Sequence, residues 1–451
     1  MTWKDLVDPS WEAALELGLK PKPVRFDEVP QEVIHRLAAQ GAPAAPYHWS
    51  RGRDTLYHRS KWEARKGQIM ELVFDMGAYA MAYISTAQGQ ASASLTVPHV
   101  LGHSHVFHVN AHQLRHSGDV YAALEAGTAR VAQYETRYGP ERVAQLITVA
   151  LALSDLVEAE EVEPPPPPEP PRDNPFEPVP SWGAYSPMRE RERQGTAARH
   201  QHARGSGERD ILRYLIRHAP LLEDWERDVL EVERMLALSY KRSGVTKYLH
   251  EGFASWTHSR VLRRLASRLP RDWLLAIART HSLVLAASFQ NPYWLGYAAF
   301  CYLEEEEGRE SMLRRVESHT DASLFALLTT PPYWPGFGVY LLYQLEADDL
   351  ATGERLGALE EIREYLVTFA QALLQRPPRV EVLVGDDPPA GYRLAAKVPG
   401  RAGLPSLRLL ARDPVDLTYA KRVMEEIREI WGGGVWLYAP HGAPEVEEVE
   451  G

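Results

Sequence analysis

Five consecutive prolines at positions 164–168 divide the chain into two parts that no continuous helix or strand can join. Proline fixes φ and lacks a backbone N–H, so a run of prolines forms an extended spacer and ends any helix that reaches it. The run lies in an acidic stretch that begins at Glu158, and a stretch rich in Arg, Glu and His follows it up to position 207. We therefore predict a linker over residues 158–207, which joins either two domains or two halves of one helical body.

The segments on either side of this linker show helical periodicity, for example at Ile211, Leu212, Leu215 and Ile216. After residue 376 the pattern changes to short strands at 379–384, 392–398, 407–411 and 435–438, with an amphipathic helix that Asp416 caps and Gly432 ends. The predicted fold class is mainly α, a large helical body followed by a small C-terminal α/β domain. The predicted segments are the N-terminal part of the helical body at 1–157, the linker at 158–207, the second part of the body at 208–376, the α/β domain at 377–440 and an acidic tail at 441–451.

Composition excludes several classes of function. Of 451 residues, 50 are Lys or Arg and 61 are Asp or Glu, and the resulting net charge of −11 disfavours a general nucleic-acid partner. The single cysteine, Cys301, excludes an intramolecular disulfide framework and a cysteine-cluster metal site. No apolar window is long enough for a membrane span, and Asp5 and Asp8 are atypical of a secretory signal. We expect a soluble cytoplasmic protein.

The histidines are concentrated, because six of the 17 fall in the short stretch from His99 to His116. Pro98 is expected in the first turn of a helix there. His99 and His103 are four residues apart and share one face of a helix, so their imidazoles can bind one ion. The other four histidines face away from this pair, and we expect His112 and the last of the stretch to be solvated.

A second candidate segment runs from His250 to His258. Ala254 occupies the position where the zincin motif H-E-x-x-H has its second histidine, so that motif is absent. Glu251 and His258 share a helix face but lie about 10 Å apart along the axis. Either one is a ligand and the other orients it or acts as a base, or two ions are present. In a purely structural interpretation, Glu251 caps a helix and His258 lies in the core. No dinucleotide, nucleotide or serine-hydrolase motif is found.

Six motifs in this order resemble the stage V sporulation protein R family: Tyr47-His-Trp-Ser50, Met70-Glu-Leu-Val73, His99-x-x-Gly-His103, Asp224-Trp-x-Arg-Asp228, His250-Glu-Gly-Phe-Ala-Ser-Trp-Thr-His258 and Asn291-Pro-Tyr-x-Leu-Gly296. The closing block from Asp416 to Trp431 is also similar to that family's C-terminal domain. The chain departs from the family pattern at His250, where asparagine is usual, and it lacks expected acidic residues around Met235 and at Thr86. These departures predict a divergent member with altered or lost chemistry.

The resemblance implies a bacterial cytoplasmic protein linked to formation of the spore cortex, a modified peptidoglycan layer, although members also occur in bacteria that do not sporulate. Two hypotheses follow. In the first, the chain is a metal-dependent hydrolase acting on peptidoglycan or its precursors, with His99, His103 and His258 holding Zn²⁺ or a similar divalent ion and Glu251 activating water. In the second, it is a non-enzymatic adaptor that binds protein partners in a sporulation or cell-envelope complex. A third hypothesis, a carboxylate-bridged di-metal oxidase, requires Glu-x-x-His pairs, which Glu251 and His258 do not form.

Overall fold

Helices account for most of the residues that the computed structural model describes, which are 1–40, 45–46, 48, 50, 71–114, 120–158, 208–345, 352–374, 379–383 and 388–440. The chain forms two compact units, one of Met1–Tyr138 with Ser239–Arg376 and the other of Gly139–Leu238 with Pro377–Gly451. The predicted fold class, mainly α with a small C-terminal α/β domain, is confirmed. The predicted segment boundaries stay a prediction, because nearly all of the linker at 158–207 and the tail at 441–451 lie outside the described residues.

The helices in chain order are α1 Val7–Glu16, α2 Gln31–Gln40, α3 Gln90–Val109, α4 Ala111–Leu114, α5 Val120–Tyr138, α6 Pro140–Ala152, α7 Ile211–His218, α8 Asp224–Gly244, α9 Lys247–Leu265, α10 Arg271–Val284, α11 Pro292–Glu307, α12 Arg309–Ser318, α13 Asp321–Leu328, α14 Trp334–Gln344, α15 Thr352–Leu374 and α16 Leu417–Trp431. The strands are β1 Val24–Val29, β2 Glu71–Asp75, β3 Ala80–Ser85, β4 Val380–Val382, β5 Tyr392–Val398, β6 Leu407–Ala411 and β7 Val435–Pro440. None of the helices within the described ranges combines the length and the apolar character needed to cross a lipid bilayer.

In the first unit, α9 packs between α3 and α11 and forms the centre of the core. Large aromatic side chains fill this core, and Phe253, Trp256, Phe300 and Phe325 are fully buried. Such aromatic residues contribute much of the apolar area that a helical core removes from water. The core therefore fixes the positions of the helices that carry both predicted histidine segments.

A three-stranded sheet of order β1-β3-β2 also belongs to the first unit, with β1 parallel and β2 antiparallel to β3. The sequence did not predict this sheet. Five of the six residues of β3 are buried, so the strand lacks the alternation of polar and apolar residues that marks a half-exposed strand. The sheet matters for function because β2 begins at Glu71.

The expectation that Pro98 stands in the first turn of its helix was wrong. Helix α3 begins eight residues earlier, at Gln90, and Pro98 lies inside it. Proline inside a helix removes one N–H bond and clashes with the preceding turn. The helix continues because tertiary packing outweighs this local cost, since every residue from Ala93 to Val106 is buried.

In the second unit, a sheet of order β4-β6-β7-β5 packs against α16. Asp416 caps this helix by accepting hydrogen bonds from the backbone N–H groups of Thr418 and Tyr419, as predicted. Gly432 ends it with a φ of 78°, a conformation that favours glycine. The predicted strands are confirmed, except that β4 is shorter than predicted and Val384 lies outside the described residues.

Candidate metal centre

Two glycines of the sequence motifs allow the helices around the centre to approach closely. A Cβ on Gly102 of α3 would lie 2.6 Å from the Cα of Ala254 in α9. A Cβ on Gly252 of α9 would lie 2.2 Å from the carbonyl carbon of Gly296 in α11. Any larger residue at these positions would force the backbones apart. The close contacts bring the two sequence-distant histidine segments together inside the first unit.

Three side chains predicted as site residues converge at this contact. The Nε2 atoms of His99 and His103 lie 3.2 Å apart. The Oε2 atom of Glu251 lies 3.4 Å from the first of these nitrogens and 3.5 Å from the second. Among the described residues these three offer donor atoms that all lie within 4.8 Å of one another, close enough to hold one ion. We call them the His99–His103–Glu251 cluster.

The fourth predicted residue, His258, contacts the cluster from the other side of the His99 ring. Its Nδ1 lies 3.1 Å from the Nδ1 of His99, and its Nε2 lies 2.8 Å from the Nδ1 of His281. On the opposite flank, the Nδ1 of His250 lies 3.2 Å from the Nδ1 of His103. Each imidazole of the cluster thus has its Nε2 directed to the shared centre and its Nδ1 engaged by a second histidine.

A second carboxyl group borders the centre, because Oε1 of Glu71 lies 3.7 Å from Nε2 of His99. Burial raises the pKa of Glu71, and the charge of Glu251 adds to this effect while His99 opposes it. For Glu251 burial acts in the same upward direction, but the adjacent imidazoles of His103 and His99 outweigh it and hold the pKa below its usual range. The cluster therefore combines an ionised carboxylate with a neighbouring carboxyl group whose raised pKa makes it a stronger base than an ordinary glutamate.

Burial keeps the surrounding imidazoles neutral. It lowers the pKa of His103, and the proximity of His99 adds to this effect while Glu251 opposes it. For His250, burial together with the proximity of His103 lowers the pKa to about 3. Burial also places the pKa of His258 well below its ordinary value. Neutral imidazole and ionised carboxylate are the forms that bind metal ions, so the protonation states suit a cation.

The chemistry of the cluster fits a divalent metal ion. The Oε2 atom of Glu251 is buried and has no hydrogen-bond partner in the described part of the structure. A buried carboxylate oxygen without a partner is costly unless a cation compensates it. Two histidines and one glutamate are also a ligand set of catalytic zinc sites, which leave a fourth position open. These residues can therefore hold such an ion.

Four residues at the centre were missed as site residues: Glu71, His250, His281 and Tyr293. The ring of Tyr293 stacks on that of His99 with centroids 5.8 Å apart. Glu71 and His250 lie within the sequence motifs, which was a usable signal. His281 lies on α10, and no spacing in the sequence connects it with the other histidines.

The remaining histidines of α3 and α4 do not join the cluster. His105 was expected on the side facing away from His99, yet its side chain is only 1% exposed. Its Nδ1 accepts a hydrogen bond from the backbone N–H of Lys20, at 2.9 Å, and burial lowers its pKa to about 3. His112, expected to be solvated, is half-buried, and His116 lies outside the described residues.

Comparison with known proteins identifies the family of the chain. A family model described as "SpoVR like protein" matches residues 4–325. The chain belongs to this family. The matched range contains the whole His99–His103–Glu251 cluster, so the centre is part of the family region of this sporulation-related protein. The match ends before the closing block at 416–431, and the resemblance of that block to the family stays a prediction.

One curated relative is the uncharacterized protein YcgB of Escherichia coli (strain K12), which is 21% identical over 291 residues. The alignment covers 60% of this chain and 57% of the relative. No solved structure matches the chain significantly. These comparisons identify the family, and any activity has to be inferred from the chemistry of the centre.

Proposed function

We propose that this SpoVR-like family member is a metal-dependent hydrolase that acts on peptidoglycan or its precursors. The observation that carries the proposal is the convergence of two imidazole Nε2 atoms and one ionised carboxylate oxygen without a hydrogen-bond partner, all within 4.8 Å of one another. Such a set binds divalent cations of the zinc type. A divalent ion there supplies Lewis acidity and activates water near neutral pH.

In this proposal His99, His103 and Glu251 hold the ion. Glu251 was predicted from the sequence as the group that activates water, but its Oε2 lies as close to both imidazoles as a third ligand requires. Glu71 then takes the role of proton acceptor, because its carboxyl group borders the centre from a separate element, β2. His258 orients His99 through its Nδ1 instead of acting as a ligand.

The substrate class in this proposal comes from family membership. A family named for a sporulation protein supports a role in forming the spore cortex, whose material is peptidoglycan. We retain the cytoplasm as the site of action, where soluble precursors and recycled fragments of peptidoglycan are the accessible substrates. Their amide bonds are suitable targets for hydrolysis by a zinc-type centre.

The decisive experiment is metal analysis of the full chain purified without a histidine tag. We expect one zinc-type ion per chain in the wild type and strongly reduced content in His99→Ala and Glu251→Gln. The matched control is His112→Gln, which removes a half-buried imidazole from outside the cluster and should keep the metal. Hydrolysis of peptidoglycan precursors and fragments is then measured on the same samples. Equal metal content in all four proteins, or activity that persists in both cluster variants, would overturn the proposal.

The alternative is a non-enzymatic adaptor in a sporulation or cell-envelope complex. The sequence features that favour it are the proline run, the small C-terminal α/β domain and the acidic tail, of which the structure describes only the domain. Capture of protein partners by the wild type and equally by His99→Ala, together with absence of hydrolysis, would favour the adaptor.

A further inference from the structure

A second cavity of the first unit lies apart from the metal centre, between the end of α1, helix α3 and helix α12. It has a volume of about 470 Å³, and its walls include His105, Lys20 and Glu317. A cavity of this size accommodates a small organic molecule. None of the three residues of the His99–His103–Glu251 cluster lines it.

One wall residue is a buried imidazole with an unused donor. Because Nδ1 of His105 accepts the backbone N–H of Lys20, the proton of the neutral ring is on Nε2. This Nε2 is buried and has no hydrogen-bond partner in the described structure. Aromatic packing against Phe253, with ring centroids 5.2 Å apart, holds the ring in place. A buried N–H donor of this kind calls for an acceptor, and His105 is one of the residues that line the cavity.

The charged wall residues leave one cation and one anion for a ligand. Within the described ranges, neither Lys20 nor Glu317 has an ionic partner in the structure. The other charged residues of the wall are paired: Arg309 with Glu304 at 2.8 Å, Arg314 with Glu310 at 2.9 Å and Glu16 with Arg264 at 3.9 Å. The cavity therefore offers an ammonium group, a carboxylate and a neutral N–H donor that are not already used.

We infer that this cavity binds a small zwitterion, an amino acid or a short peptide. The carboxylate of the ligand is placed toward the Lys20 ammonium and the Nε2–H of His105, and its ammonium group toward the Glu317 carboxylate. A simple anion would bind only to the Lys20 ammonium and the His105 N–H, and a simple amine only to the Glu317 carboxylate. Selectivity for a molecule that carries both charges is the property that distinguishes this site from a general anion site.

Isothermal titration of the full chain tests the inference, with L-alanine and glycylglycine as zwitterions and acetate and ethylamine as single-charge probes. We expect saturable binding of at least one zwitterion and at least tenfold weaker binding of both single-charge probes. Lys20→Met and Glu317→Gln should each weaken zwitterion binding at least tenfold. The matched control is Glu306→Gln, which removes an exposed carboxylate of α11 outside the cavity wall and should bind like the wild type.

Several outcomes would overturn the inference: no saturable binding of either zwitterion, binding of acetate as tight as that of L-alanine, or binding unaffected by both Lys20→Met and Glu317→Gln. Lys20 is exposed and Glu317 is half-buried, so their variants are expected to fold, which circular dichroism spectra of the variants would check. His105→Leu tests the buried donor and should weaken binding in the same direction. Titrations with chelator-treated protein should give the same result, which separates this site from the proposed metal centre.

Discussion

The Nδ1 of His99 lies 3.1 Å from the Nδ1 of His258, on the side of the ring opposite to its contact with His103. One of the two facing nitrogens must carry a proton and the other must accept it. If His99 donates, its Nε2 is left as a lone-pair donor directed to the centre. His258 in turn donates from its Nε2 to the Nδ1 of His281, 2.8 Å away. With this proton order the outer histidines hold His99 in the tautomer that a metal ligand needs.

This arrangement predicts that His258 controls metal affinity without being a ligand. His258→Leu removes the hydrogen-bond partner of His99 and should lower the affinity for zinc or cobalt by about 10- to 100-fold. His258→Asn places a polar group near the position of the lost Nδ1 and should recover part of that loss. Competition with a chromophoric chelator measures the affinity, and the cobalt spectrum reports the ligand set.

His112→Asn serves as the control for this pair of variants, because it alters a histidine of α4 outside the centre. Its affinity should equal that of the wild type. A cobalt spectrum that loses one nitrogen ligand in His258→Asn would instead show that His258 binds the metal directly, as the sequence analysis predicted.

Gly102 sets the distance between α3 and α9, so its substitution should disturb both the fold and the centre. In Gly102→Ala the new methyl group would meet the Cα of Ala254 at 2.6 Å and the side chain of Thr257 at 3.0 Å. Overpacking of this kind costs about 1–3 kcal/mol of unfolding free energy. We expect a lower thermal midpoint together with weaker metal binding.

The matched control is Gly244→Ala at the end of α8, where an added Cβ meets nothing within 4 Å. Alanine has a higher helix propensity than glycine, so this change should leave the midpoint unchanged or raise it slightly. Equal midpoints for the two variants would show that α3 and α9 separate at no cost.

The sequence predicted the parts of the centre that depend on local spacing. His99 and His103 share a helix face, and their i, i+4 separation placed both Nε2 atoms together. Glu251 was found because it follows His250 as in the first half of the zincin motif and shares a helix face with His258, although Ala254 breaks that motif. Glu71 and His281 were missed as site residues since they lie on β2 and α10, and only the tertiary fold brings them next to the helices.

The sheet of the first unit was missed for a related reason. Strand β3 is buried almost throughout, so its sequence carries neither the period of a helix nor the alternation of a half-exposed strand. The prediction from Pro98 failed for a different reason. Proline is expected in the first turn of a helix, but the packing of this buried helix allows Pro98 to lie inside it. Residue propensity and hydrophobic periodicity therefore predict exposed helices and strands, whereas contacts between elements determine the structure of buried ones.

The ion pair between Lys22 and Asp75 is the basis of a third prediction. Their Nζ and Oδ1 atoms lie 2.7 Å apart, and the side chains are only 7% and 14% exposed. Lys22→Met leaves a buried carboxylate without its partner and should cost about 3 kcal/mol. The double variant Lys22→Met with Asp75→Asn also removes the negative charge at position 75. The side-chain oxygen of the asparagine can still accept the hydrogen bond from the backbone N–H of Gly77.

We therefore expect the double variant to be more stable than Lys22→Met alone. Urea midpoints of the wild type, both single variants and the double variant complete the cycle. If the free-energy changes of the two single variants sum to that of the double variant, Lys22 and Asp75 have no coupling energy. The ion pair would then not contribute to stability despite its short distance.

Asp321 gives a prediction for the pH dependence of stability. Its side chain is 1% exposed and accepts the backbone N–H groups of Leu249 and Tyr248 at the start of α9. Burial raises its pKa to about 7, although these hydrogen bonds act in the opposite direction. The folded chain therefore binds the proton more tightly than the unfolded chain, in which an aspartate has a pKa of about 3.9. The stability contributed by this proton is full below pH 4 and is lost as the pH rises through 7.

The thermal midpoints of the wild type and Asp321→Asn, measured between pH 5 and 8, test this sign. The asparagine stays neutral, so the wild-type midpoint minus the variant midpoint should fall as the pH rises. Glu310→Gln, at a fully solvated position, should show no such trend relative to the wild type. A difference that grows with pH would mean that the hydrogen bonds to the N–H groups of α9 outweigh burial, and that Asp321 caps this helix as a carboxylate. The experiment therefore shows whether burial or hydrogen bonding to the backbone has the larger effect on the pKa of Asp321, at the start of the helix that carries Glu251.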